Sequence, residues 1–110
     1  GDGGLMMCLS ELATAVRHGL GIVVVVFNDA RLSLIDIKQR RQQRQSLGVR
    51  YPAVDLAAAA RGLGCRAWRI EEGAPLEPVL AEALAGAGPA LLDVAVDPTP
   101  YGAQLAALRG

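Results

Sequence analysis

Hydrophobic residues alternate along the chain between two patterns. Residues 5–18 carry leucine, alanine and valine at three- to four-residue spacing, which predicts an amphipathic helix that Gly19 would end. Residues 22–27 form a continuous apolar run rich in β-branched side chains, which is typical of a parallel-sheet strand buried on both faces. Asn28 and Asp29 follow this strand and end it.

The same alternation continues to the end of the chain. Further helices are predicted for residues 33–46, 55–63, 76–84 and 101–109, and further strands for residues 65–70 and 90–96. Helices that alternate with strands imply right-handed crossovers and a parallel sheet. We therefore predict an α/β fold, a Rossmann-like parallel sheet with helices on both faces. Since no strand precedes the first helix, we expect that the sheet lacks its N-terminal strands.

Length and composition limit the possible functions. The 110 residues are enough for one domain with a core, so we assign residues 1–110 to a single domain. Eleven basic and eleven acidic residues cancel, which argues against nucleic-acid binding, and the longest apolar run is too short to cross a membrane. Cys8 and Cys65 do not have zinc-ligand spacing, so we expect free thiols in a cytoplasmic protein.

A glycine-rich segment with one carboxylate opens the chain. Gly1 and Gly3 flank Asp2, and Gly4 follows. Glycines let a backbone turn sharply and approach a ligand closely, and the first N–H groups of a helix are free to bind phosphate. A carboxylate beside phosphate needs a cation between the two. Mg²⁺ suits that position because it binds carboxylate and phosphate oxygens together.

A second carboxylate is predicted at the same edge of the sheet. Asp29 lies at the end of the first strand. In a parallel sheet, one helix followed by one strand returns the chain to the edge at which ligands bind. The Asp2 and Asp29 side chains should therefore lie on neighbouring segments. A backbone carbonyl of residue 30 or 31 could complete the share of a Mg²⁺ site that the protein provides.

These two segments resemble the thiamine diphosphate motif, a Gly-Asp-Gly followed at this distance by Asn-Asn or a variant. The sequences GDGG and ND carry the resemblance, and LSLIDIKQ and ALLDVAVDPTPY extend it. The whole chain is similar to the C-terminal, diphosphate-binding domain of the acetolactate synthase and 2-oxo-acid decarboxylase family. The resemblance implies the thiamine-diphosphate-binding fold, with thiamine diphosphate and Mg²⁺ as cofactors.

The resemblance also implies roles for individual residues. Asp2, Asp29 and the carbonyl of Arg31 would bind Mg²⁺. The backbone N–H groups of Gly3 and Gly4 would meet the diphosphate, and Asn28 would hold the loop. The full cofactor-binding set is Gly1, Asp2, Gly3, Gly4, Asn28, Asp29, Arg31, Leu32, Leu34 and Ile35, of which the last three would line the cofactor and substrate cleft. No catalytic residue is expected, because the glutamate that activates the cofactor belongs to another domain of a partner subunit.

Two positions bear on the reaction. Asp29 stands where the family usually has Asn, which adds negative charge beside the diphosphate. Ile35 is aliphatic where relatives that convert pyruvate to acetaldehyde have a carboxylate, which favours a carboligase or another decarboxylase over that type. We predict a domain of an acetolactate-synthase-like homodimer or homotetramer that decarboxylates and ligates 2-oxo acids, without nucleic acid or membrane. The 110 residues alone are expected to be inactive.

Three alternatives stay open. The first is a benzoylformate- or sulfopyruvate-type decarboxylase, which differs mainly in residues on the substrate side. The second is a non-catalytic α/β module that has lost the cofactor, for which Asp29 is the best support. The third concerns the basic residues of segment 38–45, which form a solvated helix face or bind an anionic substrate, coenzyme A or nucleic acid.

Overall fold

Three parallel strands form the sheet in the computed structural model, which describes residues 1–109. They are β1 (Val23–Asn28), β2 (Arg66–Ile70) and β3 (Ala90–Ala95). The spatial order is β1-β3-β2, and both pairings are parallel. Leu92 of the central strand β3 lies opposite Val25 of β1 and Trp68 of β2. The predicted parallel sheet is confirmed.

Six helices lie within the described residues. They are α1 (Asp2–Met6), α2 (Glu11–Arg17), α3 (Ser33–Arg41), α4 (Leu56–Gly62), α5 (Glu77–Ala85) and α6 (Tyr101–Arg109). Asp55 caps α4, because its carboxylate accepts the N–H of Ala58 at 2.8 Å. None of the described helices combines the length and apolar character that a membrane-crossing helix needs.

Helices cover both faces of the sheet, as predicted. On one face, Leu91 of β3 and Val26 of β1 pack with Leu12 of α2 and Leu56 of α4. Leu92 belongs to the cluster on the opposite face, which α5 covers. Successive side chains of a strand point to opposite faces, so the neighbouring leucines of β3 serve two separate cores.

The sequence predicted more burial for β1 than the structure shows. Val25 is 40% exposed and Phe27 is 54% exposed, whereas Val26 and Asn28 are buried. β1 is an edge strand among the described residues, and α5 packs mainly on β3 and β2. The prediction of a strand buried on both faces was therefore wrong for the described part of the chain.

The first predicted helix is two helices. The chain tightens at residues 7–10, where the N–H of Cys8 donates to the Leu5 carbonyl at 3.0 Å, three residues back. The glycine-rich opening is also helical, because α1 begins at Asp2. The helix predicted for residues 33–46 ends earlier, at Arg41, since Gln43 takes a φ of 54° that a helix cannot continue through.

A buried carboxylate on β3 joins three other elements. Asp93 has no exposed surface. It accepts the side-chain amide of Asn28 at 2.9 Å and the N–H of Leu56 at 3.1 Å, and it pairs with the Arg69 guanidinium at 3.0 Å. Its partners lie at the end of β1, at the start of α4 and on β2. A buried charge needs such partners, and here they fix the packing of these elements.

Replacing this carboxylate should destabilise the fold. We expect Asp93→Asn to lower the free energy of unfolding by about 2–4 kcal/mol, because an amide donor then faces groups that need an acceptor. Urea unfolding measures the change. Glu72→Gln removes an exposed carboxylate and should stay within about 0.5 kcal/mol of the native protein. Equal stability of the two variants would contradict the assignment.

Candidate functional site

A cavity of about 390 Å³ lies at the carboxyl end of β1, and we call it the cofactor cavity after the cofactor that the resemblance implies. Its lining residues are Gly1, Asp2, Gly3, Gly4, Phe27, Asp29, Arg31, Leu32, Ser33, Leu34, Ile35 and Tyr101. Nine of the ten residues in the predicted cofactor-binding set are among them. The structure therefore brings the opening of α1 together with the loop that follows β1, as the parallel topology required.

Asn28 is the predicted residue that does not line this cavity. It is buried, and its side-chain amide donates to the Val54 carbonyl at 3.0 Å and to Asp93 at 2.9 Å. Its side-chain oxygen accepts the N–H of Ala30 at 3.3 Å. Asn28 thus contacts the loop after β1 through this one bond. Its side chain is engaged within the protein and is not turned toward a ligand.

Asp2 is held by a tyrosine from a distant loop. The carboxylate is only 3% exposed, and its Oδ2 accepts the hydroxyl of Tyr51 at 2.8 Å. Burial, followed by this hydrogen bond, raises the pKa of Tyr51 to about 12. The phenol therefore stays protonated at neutral pH and keeps donating to Asp2.

The loop that carries Tyr51 also pairs with the loop after β1. The N–H of Leu32 donates to the Val49 carbonyl at 2.8 Å, and the N–H of Tyr51 donates to the Ala30 carbonyl at 3.3 Å. These bonds flank a β-bridge between Arg31 and Arg50. Both sides of the cofactor cavity are therefore fixed by the same short segment.

Asp29 folds back on its own loop. Its Oδ1 accepts the N–H of Arg31 at 3.2 Å, and its Oδ2 accepts the hydroxyl of Ser33. An aspartate that bonds the backbone two residues ahead is a common way to stabilise a tight turn. Each carboxylate oxygen keeps a further lone pair, so Asp29 can still bind a cation.

The oxygen donors fit a cation that takes only some of its ligands from the protein. Within residues 1–109, no three His, Cys, Asp or Glu side chains gather closely enough to hold a metal ion. Asp2 and Asp29 supply carboxylates to one cavity, and no described N–H or side-chain donor bonds the Arg31 carbonyl. Mg²⁺ commonly binds one or two carboxylates and completes its octahedron with phosphate and water oxygens.

The start of α1 offers donors for phosphate. As expected for the first turn of a helix, the N–H groups of Gly3 and Gly4 find no acceptor among the described residues. A side chain at Gly3 would crowd this opening, because a Cβ there would lie 2.6 Å from Leu32 Cδ2 and 3.3 Å from Tyr51 Oη. Glycine at this position keeps the backbone accessible from the cavity.

Sequence reasoning missed four residues at this site. Phe27 and Ser33 line the cavity and lie next to predicted residues, so sheet topology could have identified them. Tyr101 lines the cavity from α6, and burial, followed by Asp29 and Asp2, raises its pKa. Tyr51 contacts Asp2 across 49 positions of sequence. No local pattern marks either tyrosine, since only the folded chain brings them to the site.

Comparison with known proteins decides the family. The family described as "Thiamine pyrophosphate enzyme, C-terminal TPP binding domain" matches residues 1–94. The chain belongs to this family. Thiamine diphosphate is the cofactor of this family and Mg²⁺ is the metal that accompanies it there, as the resemblance implied.

The similar proteins are much longer than this chain. A Mycobacterium tuberculosis protein with the provisional name acetolactate synthase large subunit IlvB2 is 38% identical over 98 residues, which cover 89% of this chain and 18% of that protein. The acetolactate synthase of Bacillus subtilis is 32% identical over 97 residues, covering 88% and 17% respectively. The chain thus spans less than a fifth of the length of these relatives.

A solved structure confirms the fold. It is that of a provisionally assigned thiamin diphosphate-dependent enzyme from Mycobacterium smegmatis, with a TM-score of 0.71 and 28% sequence identity. The match covers 88% of this chain and 17% of that one. The predicted thiamine-diphosphate-binding fold is therefore confirmed.

Gly3 and Gly4 allow a matched test of the packing at this opening. Alanine at either position should favour the helix by up to about 1 kcal/mol. A Cβ at Gly4 meets nothing within 4 Å, whereas one at Gly3 collides with Leu32. We therefore expect Gly3→Ala to be less stable than Gly4→Ala by about 1–2 kcal/mol in urea unfolding. Equal midpoints would show that Gly3 is not closely packed.

The bond between Tyr51 and Asp2 predicts an alkaline pH dependence. The pKa of Tyr51 is about 12 in the folded protein, against 10.0 ordinarily. The folded state therefore binds the Tyr51 proton more tightly than the unfolded state does. The stability that the protonated phenol contributes is complete below pH 10 and is lost as the pH rises toward about 12.

The phenolate absorbance measures this titration directly. We expect Tyr51→Phe to lack an ionisation near pH 12. The variant should also lose less stability than the native protein as the pH rises from 10 toward 12. Tyr101→Phe is the matched control and should leave that ionisation in place. An ionisation near pH 12 that persists in Tyr51→Phe would contradict the assignment.

Proposed function

We propose that this chain is the Mg²⁺- and thiamine-diphosphate-binding domain of an acetolactate-synthase-like enzyme that acts on 2-oxo acids. One observation carries the proposal: Asp2 and Asp29 line one cavity, beside open N–H groups at the start of α1. Membership of the family and the similarity to acetolactate synthases support it further.

In this proposal, each segment at the cavity has a defined task. The carboxylates of Asp2 and Asp29 and the carbonyl of Arg31 bind Mg²⁺. The N–H groups of Gly3 and Gly4 donate to the diphosphate, whose negative charge the metal offsets. The apolar side chains of the lining lie along the rest of the cofactor and exclude water; they are Leu32, Leu34 and Ile35.

This chain would supply only part of an active site. Thiamine diphosphate, when bound, provides the electron sink for loss of CO₂ from a 2-oxo acid. The residues of the chain bind and orient it. Tyr51 and Tyr101 have raised pKa values and remain protonated at neutral pH, so neither acts as a base. We propose that the missing acid–base group comes from a separate domain across a homodimer or homotetramer interface, and that residues 1–110 alone have no turnover.

The chain is proposed to be the C-terminal part of a longer enzyme, in which N-terminal strands would extend this sheet. It covers only 17–18% of the acetolactate synthases it resembles, and β1 is an edge strand of the sheet among the described residues. Cys8 and Cys65 are free thiols, which accords with the cytoplasmic location that we propose. Neither nucleic acid nor a membrane is a proposed partner.

Asp29 favours a second candidate, a module that has lost the cofactor. A carboxylate in place of the usual Asn adds negative charge where a diphosphate would lie. The cavity, the open N–H groups and the retained Asp2 favour the binding function instead. A benzoylformate- or sulfopyruvate-type decarboxylase would share this cavity. Product analysis of the longer enzyme with pyruvate separates it from a carboligase: acetolactate indicates ligation and an aldehyde indicates simple decarboxylation.

Calorimetric titration of the longer enzyme that contains this chain with thiamine diphosphate tests the proposal. We expect binding to require Mg²⁺ and to weaken more than about tenfold in Asp2→Asn, which keeps the shape of the side chain and removes its charge. Glu11→Gln removes an exposed carboxylate from α2 and is the matched control, expected to bind as the native chain does. Binding of thiamine diphosphate that does not require Mg²⁺, or that is as tight in Asp2→Asn as in the native protein, would contradict the proposed site. Absence of binding would favour the non-catalytic module.

A further inference from the structure

A second cavity, of about 480 Å³, adjoins the first, and three of its nine lining residues are arginines. We call it the arginine cavity. The polar side chains of its lining are Arg31, Ser33, Asp36, Arg40, Arg41 and Thr99. Arg31 and Ser33 line the cofactor cavity as well, so the two cavities share a wall. The metal–diphosphate site proposed above gives the arginine cavity no task.

Asp36 is the only carboxylate in the lining of the arginine cavity among the described residues. It is 2% exposed and accepts two hydrogen bonds from Arg40, at 2.7 and 3.3 Å. A further hydrogen bond from Ser46, together with Arg40, holds the pKa of Asp36 below its ordinary value. The carboxylate is therefore ionised at neutral pH, and Arg40 and Ser46 together occupy three of its roughly four acceptor sites.

Arg31 is left without an adequate partner. Its Nη1 lies 3.7 Å from Asp36 Oδ2, which is too long for a hydrogen bond. Its buried Nε has no hydrogen-bond partner among residues 1–109. Asp97 is a further acidic group near Arg31; it is exposed, and its Oδ1 accepts both the N–H and the hydroxyl of Thr99, at 2.9 and 2.6 Å.

Arg41 is also weakly engaged. Its guanidinium makes one hydrogen bond, 3.4 Å long, to the carbonyl of Gly102. The lining thus has three guanidinium groups for one carboxylate, and donors that the described residues do not satisfy. Leaving the buried Nε of Arg31 unpaired is costly, whereas the donors of the exposed Arg41 are open to solvent or to a ligand. An arginine binds a carboxylate or a phosphate through two parallel hydrogen bonds.

We propose that the arginine cavity binds an oxyanion, the carboxylate or phosphate group of a small molecule, at Arg31 and Arg41. Such a group would provide the acceptors that the protein lacks and would balance the excess positive charge. Two sources share this chemistry: the carboxylate of a 2-oxo acid and the phosphate of a separate effector. The proposal goes beyond the cofactor site and requires neither Mg²⁺ nor thiamine diphosphate.

Nuclear magnetic resonance of the ¹⁵N-labelled full chain tests the proposal with three probes at matched ionic strength: sodium phosphate, sodium pyruvate and sodium chloride. We expect saturable shifts of the side-chain Nε–Hε signals of Arg31 and Arg41 with phosphate, pyruvate or both, and none with chloride. Arg31→Gln and Arg41→Gln should each weaken this binding by about fivefold or more.

Arg44→Gln is the matched control, because it removes the same charge from the exposed segment just beyond α3. It should change the affinity by less than about twofold. A response to pyruvate alone assigns the cavity to a 2-oxo acid, a response to phosphate alone assigns it to an effector, and a response to both assigns it to either oxyanion.

Three results would overturn the proposal: arginine signals that do not saturate with either oxyanion, an equal response to chloride, or equal weakening in Arg44→Gln. Phosphate shifts confined to the amides of Gly3 and Gly4 would place the anion in the cofactor cavity. The arginine-cavity proposal would then fail while the proposed cofactor site stood. Saturable shifts of the Arg31 and Arg41 signals in a protein that binds no thiamine diphosphate would support the arginine cavity while the proposed cofactor site failed.

Discussion

The buried carboxylate of Asp93 determines where the chain goes after β1. It receives the side-chain amide of Asn28, the last residue of that strand, and the N–H of Leu56 at the start of α4. The same amide also reaches the carbonyl of Val54, which precedes α4. The loop after β1 therefore leaves the sheet in one direction. Asp29 lies at the cofactor cavity because the preceding residue, Asn28, is anchored in the core. The stability of the fold and the geometry of the site therefore both depend on the hydrogen bond between Asn28 and Asp93.

The opposite wall of the cavity depends on a second anchor. Tyr51 donates to Asp2 through its hydroxyl, and its backbone pairs with Ala30 in the loop after β1. One residue thus contacts Asp2 of the GDGG segment and Ala30, the residue that directly follows Asn28 and Asp29. A sheet edge alone would bring Asp2 and Asp29 to the same end of the molecule, but it would not fix their side chains. Pre-organised oxygen ligands matter for Mg²⁺ because this small ion tolerates little departure from octahedral geometry.

The sequence predicted those parts of the molecule that follow from periodicity and topology. The alternation of helix and strand gave the parallel sheet, and that sheet placed GDGG beside ND. The break at residues 7–10 and the early end of α3 were missed because apolar spacing does not report tightened turns or a positive φ at Gln43. Exposure of Phe27 depends on which helices cover an edge strand. Tyr51, Tyr101 and the surplus donors of Arg31 depend on contacts between distant segments, which a single sequence does not reveal.

Paramagnetic line broadening tests most directly whether the two segments bind one metal. Mn²⁺ takes the oxygen ligands that Mg²⁺ takes, and it broadens signals from nearby nuclei. With thiamine diphosphate present, the amide signals of residues 2–4 and of residues 29–32 should broaden together and before all others. The broadening of both segments should disappear in Asp2→Asn. Broadening that is confined to one segment, or that centres on Asp36 and the arginine cavity, would contradict a shared metal–diphosphate site.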